Sequence, residues 1–245
     1  MTQDPHHPPG GTETPPGAHR SPTLAENLLL LLFQPDAGLR SGTGAIAGEN
    51  TLFYTLAGAV LADLTLGDHV QTETSWGTTR VEAVAHRPPA DTILRSAWEY
   101  LSPKPRAVQT VLATIGPKLR GPLLDRLVER GDIHRTHRKM LGLFKTEALE
   151  DGGTGRRDRL VADVRAVLVD GAPARPRVAA LAALLSGSGT LPQFDPEIPW
   201  TSPVIARAKE FEQGNWGAGA AADAVALTMA AAIATTVVTA TVPRP

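Results

Sequence analysis

The stretch "KLRGPLLDRLVERGDIHRTHRKMLGLF", residues 118–144, decides the fold. Its first half has apolar residues at helical spacing and ends at Gly131, so a helix is expected over 118–131. Its second half changes character. His134, Arg135, His137, Arg138 and Lys139 run directly into Met140, Leu141, Leu143 and Phe144. A β-hairpin is expected, with Ile133–Lys139 returning as Met140–Thr146. Alternation along a strand puts His134, Thr136 and Arg138 on one face and Arg135, His137 and Lys139 on the other. Both faces are polar, so this strand cannot be central in a sheet and should project from its domain.

Working outward, helices dominate. "TLAE" is a capping box, Thr23 with Glu26, and it opens "NLLLLLF". A helix apolar on nearly every side belongs at the centre of a core. Residues 50–68 read as a second buried helix closed by Gly67. "HVQTE" and "RVEAVA" read as a short strand pair joined through "SWGTT". Further helices are expected over 91–101, 105–115, 156–171, 176–189 and 202–214, and "EDGGTG" (150–155) as a loop. The segment 224–242 carries no charge over 19 residues. That length would suit a membrane span. Its alanine and threonine suit a buried core helix better.

The fold class is therefore mainly α: one helical domain over 23–242, with a protruding β-hairpin and one or two further short strand pairs. Residues 1–22 are rich in proline, glycine and histidine and nearly devoid of apolar side chains, so a disordered tail is expected there. No apolar signal region opens the chain, and the expected location is cytoplasmic.

Composition narrows the function. The chain has 245 residues, no cysteine and a net charge of −1. Disulfides and thiolate chemistry are excluded, and any anionic partner must be met by a local patch rather than a global field. No G-x-S-x-G, H-E-x-x-H or P-loop pattern occurs. "GGTG" (152–155) reads as a loop rather than a phosphate cradle. His134 and His137 point to opposite faces of a strand, so one metal cannot take both, and His6 and His7 read as part of the tail. No enzyme, cofactor or metal site is expected.

Three partners suit the hairpin. Its apolar strand could pack on its own domain, or the hairpin could meet another protein or copy, or an anionic membrane. Each Lys or Arg near an anionic leaflet contributes about 1 kcal/mol, so Arg135, Arg138, Lys139 and Lys145 together give at best about 4 kcal/mol. One inserted Leu or Phe adds roughly 1.5–3 kcal/mol. Such totals support reversible, salt-sensitive docking. A winged-helix DNA-binding protein is the other reading of a helix followed by a basic hairpin. Against it, "LLDRLVER" balances Asp125 and Glu129 against Arg126 and Arg130, whereas a groove-reading helix should be basic. No nucleic acid is expected.

The order of these features, "LAENLLLLLF", "LFYTLAGAVLADLTLGDHV", then "KLRGPLLDRLVERGDI" with the hairpin ending "LGLF", resembles the Golgi phosphoprotein 3-like family over about residues 23–235. The alanine, arginine and proline bias suggests a bacterial-type member. The resemblance implies a mostly helical domain with a protruding hairpin, acting as a peripheral membrane adaptor that binds phosphatidylinositol 4-phosphate. The family's headgroup pocket uses a tryptophan, a helix arginine and two arginines three apart. Those positions fall near Gly48 and at Ala57, Pro117 and Arg120. Arg120 alone matches, with Lys118 beside Pro117. The implied headgroup residues are thus Arg120 and Lys118. The hairpin contributes Arg135, Arg138, Lys139, Leu141, Leu143 and Phe144 toward membrane or partner. The family's ligand extends here to other anionic phospholipids, and the alternative function is a protein–protein scaffold without lipid binding.

Overall fold

The computed structural model describes residues 20–35, 44–140, 144–214 and 233, with positions 137–140 and 144–147 described as backbone only. Helix α1 (Leu24–Leu32) is the axis of the core. Leu28 to Leu32 are all buried, each contributing roughly 1.5–3 kcal/mol by leaving water. Thr23 Oγ1 accepts from the Glu26 N–H at 3.1 Å, and the Thr23 N–H donates to Glu26 Oε2 at 2.8 Å, so the expected capping box is formed. Helix α2 (Leu52–Leu66) runs antiparallel to α1. Asp63 near its C-terminal end accepts from the Leu24 N–H at the start of α1.

The first strand pair is β1 (Phe33–Gln34) with β2 (Ala45–Ile46), which the sequence reading lacked. Next come β3 (Val70–Ser75), β4 (Thr78–Ala83), α3 (Thr92–Leu101), β5 (Arg106–Ala107) and α4 (Val108–Ile115). The expected strand pair is therefore a three-stranded antiparallel sheet, β3–β4–β5, because Arg80 and Val81 also pair with Ala107 and Arg106. Trp76 and Gly77 form its two-residue turn, both with left-handed backbone (φ 51° and 73°). Glycine takes that conformation freely. For a tryptophan it costs roughly 1–2 kcal/mol.

A 3₁₀ turn (Gly116–Lys118) leads into α5 (Arg120–Glu129), and Gly131 (φ 73°) ends it. The larger hairpin follows as β6 (Ile133–Met140) and β7 (Phe144–Asp151). This corrects the expected register. Met140 belongs to the outgoing strand and pairs with Phe144, where the return begins. The return is "FKTEALED", which absorbs residues first assigned to a loop. Cross-strand pairing extends to Ile133↔Asp151 because the base is tied there. The Gly152 N–H donates to the Asp132 carbonyl at 3.0 Å, and a Cβ at Gly152 would collide with the Gly131 carbonyl. Ile133 and Ala148 are buried at the base.

Helices α6 (Arg156–Leu168), α7 (Pro176–Gly187) and α8 (Ser202–Glu212) complete the core, with a 3₁₀ turn at Leu191–Phe194. Of the charge-free segment 224–242 only Ile233 lies within the described residues. It is helical and buried, and its side chain sits where a Cβ on Gly187 would fall. No helix among the described residues is long and apolar enough to cross a membrane.

Four carboxylates are buried around the N-terminal end of α1, each with an arginine. Glu26 takes Arg130 at 3.2 Å and Arg126 at 3.7 Å, and Asp91 takes Arg126 at 2.9 Å and Arg20 at 3.2 Å. Asp132 takes Arg156, and Asp63 takes Arg177 at 2.6 Å. Arg130 and Arg177 also donate to the carbonyls of Arg20 and Pro22, which ties the chain just before α1 to this network.

Burial pushes the Asp63 carboxyl up from 3.8 to about 6, against the opposing pull of Arg177 and the Leu24 N–H. An acid whose folded pKa is raised binds protons more tightly folded than unfolded. Its ionisation therefore costs stability as pH rises through the interval between about 4 and 6. Asp63→Asn should flatten that segment of the stability–pH profile, an effect of at most about 3 kcal/mol. Urea titrations at a series of pH values check it, and an unchanged slope in the variant would remove Asp63 from the account.

Candidate membrane-docking site

Arg120 opens α5, directly after the turn that carries Lys118. Both side chains are exposed. Leu119 joins the turn to α5 with helical backbone, its N–H bonded to the Gly116 carbonyl at 3.1 Å, and a Cβ on Gly121 would meet open space, so this side of the helix start is open. Beside it lies a hollow of about 320 Å³ lined by Gly44, Ala45, Ile46, Glu49, Arg120, Leu124 and Leu149. Ile46, Leu124 and Leu149 make its walls apolar. At its rim Arg120 Nη2 donates to Glu49 Oε1 at 2.9 Å, an exposed ion pair. Exposed pairs of this kind contribute about 0–1 kcal/mol, so a competing phosphate can displace the carboxylate.

The other family positions have different work here. Gly48 has φ 69°, and a Cβ there would stand 2.7 Å from Thr190 Cγ2, so no larger side chain fits. Ala57 is fully buried in α2, where an arginine would be sunk in the core. Pro117 lies in the exposed 3₁₀ turn. Of these positions only Arg120 keeps its cation and lines the hollow; Lys118 is its exposed neighbour in the preceding turn.

The hairpin is set against the same helix. The Gly44 N–H donates to the Leu149 carbonyl at 2.7 Å, so the hollow is walled by the hairpin itself. Arg135 lies opposite Leu149 in the ladder, and its guanidinium reaches Asp125 of α5 at 2.8 Å. From Asp132, whose N–H donates to the Leu127 carbonyl at the C-terminal end of α5, the strand thus runs back toward Arg120. Asp125 to Arg120 is about 7.5 Å of helix. Arg135 to Met140 is about 17 Å of strand.

Positions 138 and 139 fall on that run of β6. The side chains of Arg138, Lys139 and Phe144 lie outside the described residues, as do Leu141 and Leu143 altogether. The backbone register pairs position 139 with position 145.

Two partners escaped the sequence reading. Glu49 is 71 residues from Arg120, and Asp125 sits on a helix face whose neighbour is known only once β6 folds back on it. No local spacing signals either. The groups that could hold a metal do not cluster among the described residues.

A sequence model of the family described as Golgi phosphoprotein 3 (GPP34) matches residues 24–228. A search of curated proteins yields no match. The match spans the core helices, the hollow and the hairpin, and by it the chain belongs to the Golgi phosphoprotein 3 family.

Proposed function

We propose that the protein is a peripheral adaptor that docks reversibly on anionic membrane surfaces, using the hollow beside Arg120, with neighbouring Lys118, for a phospholipid phosphate and the adjoining hairpin as an electrostatic arm. One observation supports this reading: Leu149 of the hairpin and Arg120 of α5 line the same hollow, so helix start and hairpin meet at one site. The ligand is an anionic phospholipid headgroup, phosphatidylinositol 4-phosphate being the one the family resemblance suggests. With one retained arginine and a carboxylate at the rim, charge counts for more than headgroup stereochemistry.

Arg120 and Glu49 test the hollow in opposite directions. Arg120→Ala should weaken flotation with anionic vesicles about fivefold, the equivalent of about 1 kcal/mol per cation at the surface. Glu49→Gln, which frees the guanidinium, should strengthen it by a similar factor. Vesicles containing phosphatidylglycerol or phosphatidylinositol 4-phosphate, at low and physiological salt, separate charge from headgroup recognition. Equal flotation of both variants and the unaltered chain would remove the hollow from the docking site.

A further inference from the structure

Trp76 is fully exposed, at 101%, on the turn between β3 and β4. Its left-handed backbone suits Asn or Gly and is strained for tryptophan. Among the described residues nothing packs on the indole: Val70 and Val81 anchor the sheet, and β5 holds β4 at Arg80 and Val81. A large apolar side chain is thus held in water, on a backbone that disfavours it, at a place where folding gains nothing.

We propose that the Trp76 turn is a second membrane contact, with the indole seated at the headgroup–acyl boundary of a phospholipid bilayer; the inference rests on the docking reading above. The surroundings favour that occupant. Residues 74–79, "TSWGTT", are uncharged. The two strands pair Thr74 with Thr79 and Ser75 with Thr78, and the threonine hydroxyls bond each other at 3.0 Å. The nearest charges, Glu73 and Arg80, face each other in the ladder. Immersing this tip therefore strips water from no charged group. It stands about 10 Å beyond the last pairing with β5, long enough to reach through a headgroup layer. A protein partner needs more. A stable interface buries roughly 800 Å² per side, whereas one tryptophan on a two-residue turn offers about 150–250 Å². A bilayer needs no matching rim, and tryptophan's apolar ring with its N–H donor is the side chain enriched at that depth.

Two measurements on the full chain decide it. Trp76→Asn should reduce partition onto mixed phosphatidylcholine–phosphatidylglycerol vesicles about tenfold, the scale of one lost buried aromatic. It should also hold or raise the melting temperature, since Asn accepts the left-handed turn. Because the chain has no cysteine, Ser75→Cys provides a single thiol beside an intact Trp76. An environment-sensitive dye there should shift to the blue on vesicle addition and be quenched by acyl-brominated lipid.

Vesicle binding with no dye shift, or undiminished partition of Trp76→Asn, overturns the inference while docking stands. A dye shift and a tenfold loss, combined with indifference to Arg120 and hairpin charge reversal, would support the turn and overturn the hollow. No binding to any vesicle overturns both.

Discussion

Replacing Arg138, Lys139 and Lys145 together by Glu should abolish flotation with anionic vesicles at physiological salt. Three attractions of about 1 kcal/mol each are lost, which alone exceeds a hundredfold in partition, and three repulsions replace them. Arg135 is left intact in this variant, because its guanidinium is engaged by Asp125 and reversing it would disturb the hairpin's seat on α5. The melting temperature should stay within a few degrees of the parent chain. Raising salt should weaken the parent protein in the same direction, as exposed charges are screened over about 8 Å. The comparison with Arg120→Ala separates two mechanisms. If the triple variant fails to float and Arg120→Ala floats normally, docking is electrostatic and has no headgroup hollow. If the triple variant floats as well as the parent, the hairpin is better assigned to a protein–protein contact.

The largest effect on stability is expected at Glu26. Its carboxylate is fully buried, caps α1 and receives Arg130 and Arg126. Glu26→Ala leaves two largely buried guanidinium groups facing a missing partner, a loss of about 3–5 kcal/mol. For a chain of this length that corresponds to roughly 6–20 °C in melting temperature. Glu26→Gln keeps one acceptor oxygen, enough for the Thr23 cap, and should lose less. Thermal and urea unfolding of the two variants side by side check this. A loss below about 1 kcal/mol for Glu26→Ala would mean that Asp91 alone satisfies Arg126, and that the network does not hold the helix start.

Much of the architecture was legible along the chain because its causes are local. The Thr23–Glu26 box, the leucine run of α1, the left-handed Gly131 and the change from helical to strand alternation after it each act within a few residues. The hairpin's existence was legible for the same reason, whereas its register was not. Where β7 ends depends on Gly152 meeting Gly131 and on Ile133 and Ala148 being buried, contacts that close only when strand and helix are both in place. The third strand of the β3–β4–β5 sheet was hidden likewise, since two residues carry no period of their own.

The site divides along the same line. By itself the sequence led to the expectation that a cationic segment projects, because both faces of His134–Lys139 are polar, and it set Arg120 and Lys118 near a helix start. Tertiary structure alone decided that these belong together: β6 folds back along α5, and Leu149 becomes a wall of the hollow beside Arg120. It also decided that a larger side chain at Gly48 meets Thr190, that Ala57 is sunk in the core, that Glu49 sits on Arg120, and that Trp76 is fully exposed. The physical reason is range. Propensity, capping and periodicity are set by neighbours in the chain, whereas burial, collision and charge pairing are set by neighbours in space, and Glu49 and Arg120 become neighbours only when the core closes between them.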